Sequence, residues 1–220
     1  MNHLCVVFDI DDTLYLERDY VLSGFAAVGP WARDWLAIPD FAERCGATFK
    51  AGVRGSVFNH VLAECGVDPA HEVIAALVAI YRAHVPAVGL CEDARELLTE
   101  ASRRWPLAVI SDGPAVSQSR KAEALGLGRF ASPILLTELL GRECSKPSPA
   151  AFRKVEEGIR ANRYIYVADN PRKDFFAPRE LGWGSVRVRR PGGLHFGVEG
   201  GGAEVEMGDL SGLMGWLEGI

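Results

Sequence analysis

Three carboxylates fall within four residues in Phe8-Asp9-Ile10-Asp11-Asp12-Thr13-Leu14, directly after the apolar run Val6-Val7-Phe8. Like charges this close repel and resist burial, so a strand end that collects them calls for something that offsets the charge. A divalent cation does so, and hard oxygen ligands on a short, stiff spacing suit Mg²⁺. The ordinary alternative is a solvated acidic turn. Three later segments carry the residue types that phosphoryl chemistry uses. Val109-Ile110-Ser111-Asp112-Gly113 offers a hydroxyl and backbone N–H groups, Ser145-Lys146-Pro147-Ser148 a cation, and Ala168-Asp169-Asn170-Pro171-Arg172-Lys173-Asp174 two further acids. Singly, each has a plain explanation: a turn, a surface lysine, a helix cap, a solvated acid. Their order carries the signal, because each lies where the carboxyl edge of one sheet would gather them.

The elements that must position these residues are short apolar runs. Buried strands are expected at Leu4–Phe8, Leu107–Ile110, Ile134–Leu136, Tyr164–Ala168, Ser185–Val188 and Ala203–Met207. Helical periodicity lies between them. Glu92–Arg104 sets Leu97, Leu98 and Ala101 on one face; Pro114–Leu125 opens on a proline and ends at Gly126; Ser148–Arg160 has Ser148 as its expected N-cap. Alternating strand and helix implies parallel pairing with helices on both faces, and a ligand site at the carboxyl ends of the strands.

Residues 15–89 break that rhythm. They read as helices over Tyr20–Trp35, Asp40–Lys50, Val53–Glu64 and Pro69–His84, the first broken or kinked at Gly29-Pro30. Val73, Leu77, Ile80 and Tyr81 form a core-facing stripe, and Trp31 and Trp35, four apart, read as core residues. The expected organisation is an α/β core over 1–14 and 90–220, with a small all-helical cap domain over 15–89. The glycine-rich stretch 197–202 reads as a flexible loop before a last strand and helix.

Apolar residues make up 48%, enough for a real core, and the net charge is −5 with no basic stripe, which argues against nucleic acid as a partner. Cys5, Cys45, Cys65, Cys91 and Cys144 are scattered and contain no C-x-x-C pair, so neither a disulfide framework nor a zinc site is expected. A reducing cytoplasm fits them. No apolar run approaches the ~20 residues that span a bilayer, so no membrane association is expected. Neither a monomer nor a dimer is favoured by any segment.

The ordered set Asp9-Ile10-Asp11-Asp12-Thr13, Ser111, Lys146 and the acidic pair Asp169 and Asp174 resembles the haloacid dehalogenase-like (HAD) hydrolase superfamily. The resemblance runs from about Leu4 to Leu14 and from Leu90 to Arg190, and the fuller phrases are similar to phosphatase members with a helical cap after the first motif. Ala168, where many relatives have Gly, is a small departure. The fold implied is a Rossmann-like parallel sheet flanked by helices, an HAD-like core, carrying that cap.

The resemblance implies roles. Asp9 is the nucleophile, already ionised at neutral pH, and forms an aspartyl-phosphate. Mg²⁺ is held by Asp9, Asp169 and the Asp11 backbone carbonyl, with Asp174 a further acid at the metal. Asp11 protonates the leaving alcohol and then takes a proton from the attacking water. Ser111 and the N–H groups of Asp112 and Gly113 hold phosphate oxygens, and Lys146 supplies positive charge beside Asp9. Thr13 fixes its loop, and Asp12 is a solvated loop residue. In the cap, Arg54 between Gly52 and Gly55 is the first candidate to reach an anionic substrate group, ahead of Arg18, Tyr20 and Lys50.

The reading is a phosphatase: a Mg²⁺-dependent phosphomonoester hydrolase acting on a small phosphorylated metabolite, a sugar phosphate or a nucleoside monophosphate. A phosphomutase shares every core residue and is the near alternative. A non-catalytic phosphometabolite-binding protein is the alternative from another class and predicts erosion of a core residue. A dehalogenase fits poorly, because Asp11 is present and a halide needs no proton.

Overall fold

Val, Ile and Leu runs too short for a helix and apolar on both faces can be satisfied only as strands covered on both sides. The computed structural model, which describes residues 4–220, realises them as β1 (Leu4–Phe8), β2 (Leu107–Ser111), β3 (Ile134–Leu136), β4 (Arg163–Ala168), β5 (Gly184–Val188) and β6 (Val205–Met207). They form one sheet in the order β3-β2-β1-β4-β5-β6, and every pairing is parallel. The chain moves outward from β1 to β3 and then returns to lay β4 on the other side of β1. The switch point, where such sheets bind ligands, therefore lies between β1 and β4. Phe8 is in register with both Val109 and Val167, so Asp9, Ser111 and Asp169 emerge along one edge.

The helices are α1 (Glu17–Leu36), α2 (Phe41–Lys50), α3 (Val57–Glu64), α4 (His71–Ala83), α5 (Glu92–Ala101), α6 (Ala115–Ala124), α7 (Thr137–Leu140), α8 (Ala150–Gly158), α9 (Phe176–Leu181) and α10 (Leu213–Glu218). One compact unit holds the chain through Glu17 together with Val88–Ile220; the second is Arg18–Ala87. Leu14 and Tyr15 are fully buried within the first.

In the sheet unit, α8 presses Ala151, Phe152 and Val155 onto Cys5, Val7, Ala108, Ile110, Tyr166 and Ala168. Gly126 ends α6 with φ +65°, a conformation glycine adopts without penalty. Ser148 is not the N-cap of α8. Pro149 occupies that position and has no N–H in need of a partner, while Ser148 Oγ accepts only a 3.4 Å contact from Ala150 N.

The second unit is all helix around Phe25, Val28, Phe41, Phe58, Leu62 and Leu77, with Val73, Ile80 and Tyr81 packed against them as their spacing predicts. Pro30 does not break α1, which continues to Leu36. Val28 and Ala32 are buried on either side of it, so packing outweighs the one backbone hydrogen bond that proline removes. Trp35 is not core: it is 75% exposed. The inward line of α1 runs Val28, Ala32, Leu36, each four apart, which leaves Trp31 partly buried and turns Trp35 out.

The five cysteines are free. Among the described residues, no helix is long and apolar enough to cross a membrane.

Candidate active site

Asp9 follows β1 and donates its backbone N–H to Val167 of β4 at 2.9 Å, which extends the pairing by one residue and brings the carboxylate to the switch point. Lys146 reaches it there. Its Nζ lies 2.7 Å from Asp9 Oδ1, 2.8 Å from Asp174 Oδ1 and 2.8 Å from Tyr166 Oη, with all four residues buried. Burial works against the ammonium, but Asp174 and then Asp9 outweigh it and hold the Lys146 pKa well above the ordinary value.

Side-chain atoms of Asp9, Asp169 and Asp174 lie within 4.8 Å of one another. Asp174 Oδ1 is buried, and although Lys146 is close, it has no aligned hydrogen bond. Its other oxygen accepts from Asn170 N at 2.9 Å. An all-oxygen donor set with one oxygen short of a partner fits a hard divalent cation. Asp11 contributes no side-chain atom to this group.

Burial first, and then the charges of Asp174 and Asp169, outweigh Lys146 and Lys173 and push the Asp9 pKa up to about 7. Asp169 is also raised, again chiefly by burial, although His195 Nδ1 at 2.9 Å from its Oδ2 favours the charged form.

Asp11 has a separate set of partners. Its Oδ1 accepts from Tyr15 Oη at 2.5 Å and from Lys121 Nζ at 2.7 Å, and its Oδ2 accepts from Gln118 Nε2 at 3.0 Å. Burial alone would raise its pKa; Lys121, Tyr15 and Gln118 together bring it below the ordinary carboxylate value. Ser111 Oγ, at the end of β2, donates to Gln118 Oε1 at 2.9 Å.

The Asp112 side chain is spent on the scaffold. It accepts from Thr137 Oγ1 at 2.8 Å, from Lys146 N at 3.2 Å and from Lys173 Nζ at 2.9 Å, and so fixes the loop that carries Lys146. Gly113 has φ +120°, which a side chain would strain. Thr13 is held through its carbonyl, which accepts from Arg190 Nη2 at 2.9 Å, rather than through its buried hydroxyl.

Asp12 is not solvated. It is 2% exposed, has φ +52°, and accepts from Glu17 N at 2.8 Å and Leu194 N at 2.7 Å. Those bonds close the first motif's loop and tie it to the segment after β5. That segment is also anchored rather than free. Arg187 of β5, fully buried, donates to the carbonyls of Asp169, His195, Val198 and Gly200.

Arg54 belongs to the helical unit, where its guanidinium donates to the carbonyls of Phe49 and Val53 and stacks over the Phe49 ring. That local use accounts for it without a ligand. The sequence reading passed over Tyr15, Gln118, Lys121, Tyr166 and His195. Gln118 and Lys121 are buried on the same stripe of α6 as Ala122, a burial that two polar residues in a helix do not announce.

The fold and site define a class of α/β protein with a buried carboxylate and ammonium at the switch point of a parallel sheet, suited to covalent transfer of an anionic group. The family model for haloacid dehalogenase-like hydrolases matches residues 4–182, and the chain belongs to that family. Two curated relatives are named glyceraldehyde 3-phosphate phosphatase. The one from Methanopyrus kandleri is 25% identical over 84% of this chain and 83% of its own length. The one from Methanocaldococcus jannaschii is 24% identical over 83% of each. Among solved structures, a HAD-superfamily hydrolase of Geobacter sulfurreducens superposes with TM-score 0.71 at 19% identity, covering 98% of this chain and 96% of its own. A HAD-hydrolase of Bacillus subtilis bound to magnesium gives 0.69 at 16% identity over 99% of each chain. Both share the fold.

Proposed function

We propose that this chain is a Mg²⁺-dependent phosphatase of small sugar phosphates, working through an aspartyl-phosphate at Asp9. The observation that carries the reading is the sharing of Lys146 between Asp9 and Asp174, with Asp169 beside them. Relatives named for a triose phosphate favour a sugar phosphate over a nucleotide. The helical unit Arg18–Ala87 is read as the cap that selects substrate.

Asp9, Asp169 and Asp174 would hold the cation, which supplies positive charge that lowers the Asp9 pKa and offsets repulsion between carboxylate and phosphate. Asp9 Oδ attacks phosphorus, the ester P–O bond breaks, and its electron pair leaves on the alcohol oxygen. Lys146 and the Ser111 hydroxyl meet charge on the phosphoryl oxygens. Asp11 is ionised at rest, so the proton arrives with the substrate, whose phosphate keeps one up to its second pKa of about 6. Asp11 takes that proton and hands it to the leaving oxygen. In the second half it takes a proton from water, whose oxygen attacks phosphorus and frees inorganic phosphate and Asp9, and it passes that proton to the departing phosphate, which returns Asp11 to its ionised state.

The test is phosphate release from glyceraldehyde 3-phosphate and a panel of sugar phosphates and nucleotides, against an Asp9→Asn control. Turnover of triose phosphates that requires Mg²⁺ and vanishes in the control is the expected result. No release above the control across the panel defeats the reading.

A further inference from the structure

Helix α6 carries two polar side chains on its core-facing stripe. Gln118 and Lys121, one turn apart, are each 3% exposed. Burying an amide and an ammonium this fully is costly unless their polar atoms are partnered. The partners lie in two different motifs of the site. The amide oxygen of Gln118 accepts from Ser111, the hydroxyl read above as a phosphate contact, at 2.9 Å. The amide nitrogen donates to Asp11 Oδ2, on the carboxylate read as the proton carrier, at 3.0 Å. Lys121 takes the other oxygen of the same carboxylate at 2.7 Å. A Cβ at position 113 would come within 3.0 Å of the Gln118 nitrogen, so Gly113 leaves the space in which the amide lies.

We propose that Gln118 is a positioning residue, fixing the Asp11 carboxylate relative to Ser111, with Lys121 as the second anchor. The inference rests on the reading of Asp11 as the group that passes the proton to the leaving oxygen. An ionised carboxylate accepts about four hydrogen bonds. Tyr15, Lys121 and Gln118 supply three, which sets the orientation and leaves one direction open for substrate. Holding a reacting group in place before substrate arrives is worth far more than its hydrogen bonds alone, and a displacement of ~1 Å can cost about a hundredfold in rate. Neither Gln118 nor Lys121 needs to touch the reacting atoms.

The experiment compares single-turnover phosphorylation of the enzyme by two esters. An alkyl phosphate has a leaving group that needs a proton; p-nitrophenyl phosphate has one that does not. Asp11→Asn should slow the alkyl ester about a hundredfold more than the nitrophenyl ester. Gln118→Met, of similar length but without polar atoms, should show the same selectivity at about tenfold or more. Gln118→Glu still accepts from Ser111 but has no N–H for Asp11. It should share the selective loss, and the negative charge it adds beside Ser111 and Asp11 should weaken inorganic phosphate as well. On the Asp11→Asn background, Gln118→Met should add no further selectivity. Thermal melts establish folding, and Gln118→Glu decides the matter if the Met variant does not fold. Equal slowing of both esters, or none, in folded Gln118 variants while Asp11→Asn remains selective overturns the proposal. If Asp11→Asn shows no selectivity, the proton-transfer reading itself has failed, and this inference goes with it.

Discussion

Lys146 Nζ stands 2.7 Å from Asp9 and 2.8 Å from Asp174, so one buried ammonium is shared by carboxylates that follow different strands. Removing it leaves two buried acids facing each other without the ammonium they share. Lys146→Met should lower stability by about 3 kcal/mol. Added Mg²⁺ should recover part of that loss, and affinity for phosphate or vanadate should fall. Melts with Mg²⁺ and with chelator check this; a variant as stable as wild type in chelator contradicts it.

Asp11 lies two residues from Asp9 but keeps its side chain out of the carboxylate group around it. Asp11→Asn should therefore cut turnover by at least about a hundredfold while changing Mg²⁺ affinity little. Calorimetric titration beside steady-state assay separates the two, and equal loss of both would count against a proton-carrying role.

Arg190 grips Asp93 with both terminal nitrogens, at 3.0 and 2.8 Å, and Asp93 also accepts from Leu210 N at 2.8 Å. Burial would raise the Asp93 pKa; the Arg190 and Leu210 bonds outweigh it and bring it below the ordinary value. A depressed folded pKa contributes stability that is complete above the unfolded value of about 3.9 and is lost as pH falls through the folded one. Asp93→Asn should cost about 2 kcal/mol near neutral pH. Its gap from wild type should close as pH drops below about 4; a gap that is constant with pH removes the ion pair as its cause.

Arg187 gathers four carbonyls with a planar fork that lysine cannot reproduce. Arg187→Lys should expose residues 191–202 to limited proteolysis and loosen the contact of His195 with Asp169, with Mg²⁺ bound severalfold more weakly. Cleavage at the wild-type rate argues that the segment is held by other means.

Most of the strands were legible because a short run apolar on both faces needs no knowledge of neighbours, although β5 carries Arg187 and β6 alternates around Glu206. Asp9, Ser111 and Asp169 were legible because they stand where such runs stop, and Lys146 and Asp174 through their place in the ordered set of motifs. Gln118, Lys121 and Tyr166 were not: their partners lie in segments distant along the chain, and a glutamine or lysine in a helix ordinarily reads as solvated. Asp12 was misread for the same reason, since its acceptors are filled by Glu17 and, far along the chain, Leu194. Trp35 failed through a rotation of one position about α1, which periodicity alone does not fix.

The sequence by itself determined the parallel sheet, the order of its acidic and basic motifs, and the family to which they belong, because these follow from local hydrophobic pattern and chain order. Only the tertiary structure decided which charge answers which. It shared Lys146 between Asp9 and Asp174, gave Asp11 to Lys121 and Gln118, and brought His195 to Asp169. The physical reason is that pairing energy depends on distance and burial in three dimensions, and neither is encoded in the spacing of residues along the chain.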